Sequence, residues 1–104
     1  MPVRKKSRRY LRIWVMGGTR FVSEEVSDAV QKGTINLLGI QGLSLVEPLF
    51  IEFDEDAQIG TLRCNRSHMR EMRAALALIT NIGDSIAAIH VEGVSGTIKA
   101  LKSK

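Results

Sequence analysis

From Tyr10 to Met16 apolar and polar positions alternate. Leu11, Ile13 and Val15 fall on one side, with Tyr10, Arg12, Trp14 and Met16 on the other. This is the two-residue period of a strand with one buried face. Gly17 and Gly18 break it. Ser23 followed by Glu24 and Glu25 reads as a helix start, a hydroxyl placed to accept a first-turn N–H and carboxylates near the positive end of the dipole. The spacing predicts a helix to about Leu38, ended by Gly39. Gly33 inside it costs about 1 kcal/mol against Ala and marks close packing.

Leu43, Leu45, Leu49, Ile51 and Phe53 then keep one parity, and Pro48 assigns their strand to an edge or a bulge. "DEDAQ" is a turn from which "IGTLRCN" returns as a strand, so the pair forms a hairpin. Asn65 or Ser67 caps a second helix, where Met69, Met72, Leu76 and Ile79 recur at helical spacing and Gly83 is the stop. "SIAAIHVEGV" is a last strand. In "GVSGTIKALKSK", Ser95 and Gly96 open a short helix with Ile98 and Leu101 on one face and Lys99 and Lys102 on another.

The order β-α-β-β-α-β plus a closing helix predicts an α+β, ferredoxin-like (split β-α-β) sandwich. Four antiparallel strands would carry two helices on one face. Residues 8–104 would be this single domain, and residues 1–7 a flexible basic arm. Strand parity places Arg12, Trp14, Val46, Phe50, Thr61, Arg63, Ala88 and His90 on the other, open face. Trp14, Val46 and Phe50 would form an apolar patch there, suited to a protein partner.

Composition adds limits. The 104 residues, 44% hydrophobic and 25% charged, suit one globular domain. No apolar run approaches the ~20 residues of a membrane helix. Arg12 interrupts the apolar stretch after the basic start, unlike a secretory signal. Cys64 is the only cysteine, which excludes an internal disulfide and suits a reducing cytoplasm. The net charge of +4 is unevenly spread. Arg4, Lys5, Lys6, Arg8, Arg9 and Arg12 form one basic group, and Arg63, Arg66, Arg70 and Arg73 face Glu71 alone in a second. Lysines close the chain, whereas Glu47, Glu52, Asp54, Glu55 and Asp56 lie in one acidic stretch. Such grouping suits a polyanion.

On the second helix Arg66, Arg70 and Arg73 fall on one side, and guanidinium forks bind phosphate bidentately. A solvated face paired locally with Glu71 fits the same pattern. The closing segment, Ser95, Gly96 and Thr97 with Lys99 and Lys102, offers amides and cations to a phosphate; a surface helix fits it too. The basic arm suits counterion release or a solubilising tail. Only Trp14 and Tyr10 are placed to stack on bases, and the third strand has no aromatic, so a base-reading platform is missing. "EFDEDAQ" lacks the glycine and terminal glutamate of a calcium loop. His68 and His90 are the only histidines, and nothing in their spacing puts them in one cleft. No phosphate-binding loop, zinc motif or nucleophile elbow is present. These residues thus assign no catalytic group and no metal or cofactor site. An adaptor domain binding protein or a small ligand explains the patch but leaves the cations idle. A stand-alone nuclease would need His68 and His90.

Three stretches, "RKKSRRYLRIWV", "LRCNRSHMREMRAALALIT" and "GVSGTIKALK", resemble the family of archaeal ribonuclease P protein component 2, related to a small eukaryotic processing-of-precursor subunit. The resemblance implies a ferredoxin-like protein that joins other proteins on the ribonuclease P RNA. That enzyme cuts the 5′ leader from precursor tRNA, and its RNA holds the catalytic centre with magnesium. The implied partner is protein component 3, in a tetramer of two copies each. Relatives often carry a longer tail than this chain.

Overall fold

The computed structural model describes residues 7–103. The alternating N-terminal segment forms β1 (Arg8–Gly17), with Leu11, Ile13 and Val15 buried. Helix α1 follows (Ser23–Val46), then the hairpin β2 (Leu49–Asp54) and β3 (Ile59–Asn65). A single 3-10 turn at Arg66–His68 leads into α2 (Met69–Ala77). A short β4 (Asn81–Ile82), β5 (Ser85–Ser95) and α3 (Ile98–Lys102) complete the chain.

The sheet is antiparallel in the order β2-β3-β1-β5-β4. It has five strands rather than the four expected. The extra strand explains why Gly83 does not end α2: the helix stops at Ala77, and Gly83, at φ +60°, turns β4 into β5. Ile79 stays buried after the helix has ended. α1 and α2 pack on one face over Val26, Val30, Met72, Ala75 and Leu76. At Gly33 a methyl group would come within 2.8 Å of Ile79 Cγ1, so that glycine does permit close packing of α1 against the segment that follows α2.

Gly39 leaves helical geometry (φ +74°), as expected of a terminator, yet the helix resumes beyond it. Residues 40–46 are helix, not strand. Val46 is buried in the core, and Glu47 in the left-handed region donates its N–H to the Leu43 carbonyl at 2.9 Å. Pro48 then bars continuation. Val46 therefore does not belong to an apolar patch on the open face.

Phe50 is likewise displaced. It lies opposite Leu62, on the helix side, and a register shift between Phe50 and Glu52 brings Phe53 to the same side. The two rings sit 6.0 Å apart over Gly60, whose missing side chain makes room for both. Leu49 and Ile51 are the exposed apolar members of β2.

The rest of the open face is as strand parity predicts. Tyr10 lies opposite Arg63, Arg12 opposite Thr61, Trp14 opposite His90, and Met16 opposite Ala88. Leu101 of α3 is buried yet outside the main core, and its carbonyl accepts from Arg12 at 3.4 Å. The closing helix thus covers part of this face.

Candidate nucleic-acid interface

The strand register gathers most of the basic groups at one end of the sheet. Arg8 and Arg9 open β1 opposite Asn65 and Cys64 at the end of β3. Arg66 follows at once, its N–H donating to the Ser7 carbonyl at 3.1 Å. Tyr10 is flanked by Arg63 on one neighbouring strand and Ser95 on the other. The Arg9 guanidinium lies beside Gly96, 3.4 Å from where a side chain there would begin. Three groups that are distant in sequence therefore meet: the edge of the arm, the β3–α2 junction and the start of α3. The arm residues Arg4, Lys5 and Lys6 lie outside the described residues.

From that end the 3-10 turn, with Arg66, and α2, with Arg70 and Arg73, carry the charge onward. Arg66, Arg70 and Arg73 are all exposed while Met72, Ala75 and Leu76 are buried. Glu71 does not neutralise them; its carboxylate faces His68 Nδ1 at 3.5 Å. Among the described residues the three arginines have no ion pair.

The acidic turn occupies the opposite end. Ile59 pairs with Trp14, and the Val15 N–H donates to the Gln58 carbonyl at 2.9 Å. At strand rise, Val15 is about 23 Å from Arg8 at the basic end. The carboxylates of the acidic end build the turn. Asp54 accepts the N–H groups of Asp56 and Ala57, Asp56 pairs with Arg20 at 2.8 Å, and Glu55 accepts the Ser23 N–H. The chain is thus polar in charge along β1. Glu47 departs from this pattern, lying 3.6 Å from Arg8 at the basic end.

Other expected contacts are engaged internally. Arg12 is held between Leu101 and Glu92 (3.7 Å), and Lys102 reaches Glu52 at 3.2 Å. Thr97, not Ser95 or Gly96, caps α3: its Oγ1 accepts the Ala100 N–H at 3.1 Å. Ser95 Oγ accepts the Thr97 N–H. With five residues and these bonds made, α3 presents Lys99 to solvent more than free amides.

Trp14 is 41% exposed and Met16 37%, leaving an apolar area on the open face beside His90. Cys64 is fully buried, and burial pushes its thiol up to about 11 against a smaller opposing pull from Arg9. A thiol so protonated at neutral pH is no nucleophile. Among the described residues no group of three His, Cys, Asp or Glu is placed to hold a metal ion. No described helix is long and apolar enough to cross a membrane.

The roles of Glu92, Arg20 and Gln58 were not foreseen from sequence. Gln58 clamps Phe21 by accepting its N–H and donating to its carbonyl, both at 2.9 Å. Such long-range pairs leave no trace in local spacing.

Comparison with known proteins identifies the family. The sequence profile of the Rpp14/Pop5 family matches residues 9–104. The chain is 40% identical to ribonuclease P protein component 2 of Thermococcus gammatolerans, over 99% of this chain and 86% of that protein. It is 36% identical to the protein of that name from Pyrococcus furiosus, with the same coverage. Its fold is similar to a chain in the cryo-EM structure of yeast ribonuclease MRP, with a TM-score of 0.72 over 92% of this chain and 79% of that one, at 11% identity.

Proposed function

The chain belongs to the Rpp14/Pop5 family and is a protein subunit of the endoribonuclease ribonuclease P, and from that premise we propose that it supports the enzyme's RNA through the basic end of its sheet. Arg9, Arg63, Arg66, Arg70, Arg73, the arm and Lys99 would lie against phosphates. An RNA that cuts the 5′ leader from precursor tRNA must fold compactly against its own charge. Fixed cations on a rigid domain lower that repulsion without reading bases. The observation that carries this reading is the convergence of separate basic segments at one sheet end, with the acidic turn at the other.

Bond breaking belongs to the RNA with its magnesium, and this chain supplies no cofactor and no catalytic residue. The open face around Trp14 would receive protein component 3, in an assembly of two copies of each. The sheet is a split β-α-β sandwich to which β4 is an addition, and the subunit works in the cytoplasm. Reconstitution tests the reading. Precursor-tRNA cleavage should require the RNA subunit and be stimulated by this chain with component 3. Cleavage by the chain in the absence of the RNA would overturn it.

A further inference from the structure

A groove of about 450 Å³ runs between α1 and the end of α2. We propose that it docks a helix from another protein subunit, apolar along its buried stripe and cationic at one end. This deepens the ribonucleoprotein reading and rests on it.

The argument begins with charge. From Gly33 to Val46 the sequence has no ionisable residue, although 25% of the chain is charged. Much of that stretch is nonetheless exposed. Leu37 on α1 and Leu78 after α2 line the groove, 40% and 63% exposed. Solvated helix faces in such a charged protein normally carry Lys or Glu, so an uncharged one signals a surface that is covered. The floor is shallow because Gly33 has no side chain and Ile79 fills the space beneath it.

The other end of the groove has a sign. Glu25 and Asp28 line it, Glu24 stands beside them, and Lys32 is the only base, already paired with Asp28 at 3.0 Å. Phosphates would be repelled there. Lys or Arg would be attracted. The stripe from Glu25 to Leu37 is about 18 Å long, three turns of helix. An occupant with apolar residues at helical spacing and a cation at its end matches both halves.

The test places a photoreactive residue in the groove, Leu78→p-benzoylphenylalanine, in a particle rebuilt from the RNA and all protein subunits. The expected product is an adduct with a different protein subunit, in a segment with helical apolar spacing and Lys or Arg at one end. Leu37→Asp in the same chain should lower its yield at least about tenfold, the effect of losing ~1.4 kcal/mol of docking energy. An adduct with RNA, an adduct with a second copy of this chain, or no adduct in a particle that contains the chain would overturn the groove assignment and leave the RNA reading intact. A chain that does not enter the particle would overturn both.

Discussion

The Arg12 guanidinium donates to the Leu101 carbonyl at 3.4 Å, tying the middle of β1 to the last helix across 89 residues of sequence. The same side chain faces Glu92, which stands where the β1–β5 register shifts. Leu101 is buried beneath this bond, and Lys102 adds an ion pair to Glu52 on the edge strand β2. A five-residue helix has no stability of its own. Its position therefore depends on these contacts.

Arg12→Ala should accordingly loosen α3 while leaving the sheet folded. Losing one charge-assisted bond, about 1.5 kcal/mol, speeds exchange of the Leu101 and Ser103 amides roughly tenfold. Hydrogen exchange measures this directly. Affinity for the RNA should stay within about twofold, since this arginine is occupied inside the chain. Unchanged protection in α3 would show that Arg12 does not hold it.

Gly60 carries a second expectation. A methyl group there would lie 3.0 Å from Phe53 Cδ1, 3.1 Å from the Glu52 carbonyl oxygen and 3.2 Å from Phe50 Cζ. The backbone oxygen cannot swing aside. Gly60→Ala should cost about 2 kcal/mol in denaturant unfolding. Gly18→Ala, which meets nothing within 4 Å, should stay within about 0.5 kcal/mol of the parent.

The buried thiol predicts a loss of stability in alkali. Cys64 ionises at about 11 in the fold, raised from 9.0 by burial. The unfolded chain therefore releases this proton first as pH rises. The contribution is intact below pH 9 and declines toward pH 11, by roughly 1.4 kcal/mol per unit. Cys64→Ala lacks that decline. The stability gap between parent and variant should narrow from pH 8 to pH 10, as urea titrations at each pH would show.

The sequence was most informative where one period ran unbroken. Strand parity placed Arg12, Trp14, Thr61, Arg63, Ala88 and His90 on one face, as the register has them, and Gly33 did mark close packing. Parity failed in β2 because one extra residue near Ile51 reverses every side chain before it. It failed at residues 40–46 because Leu43 and Val46 satisfy a helix as well as Leu43 and Leu45 satisfy a strand. Gly83 was misplaced because a glycine that ends a helix and one that turns a two-residue hairpin look alike in sequence. The arginines around α2 were legible in part: Arg70 and Arg73 are exposed on the helix as its period requires, whereas Arg66 stands on the 3-10 turn before it. Their junction with Arg9 and Gly96 was not, because only the strand order joins them. Arg12 and Lys102 read as free cations for the same reason: their partners, Glu92 and Glu52, come from other strands.

The most direct test of the account is the salt dependence of binding to the RNA subunit, for the parent and for Arg66→Ala/Arg70→Ala/Arg73→Ala. All three positions are exposed, so the variant should fold normally. If these arginines neutralise phosphates, the slope of log affinity against log salt should fall in magnitude by roughly 2–3, with assembly on the protein partner unchanged. A variant whose slope and affinity match the parent would contradict the claim that this face of the chain bears on RNA.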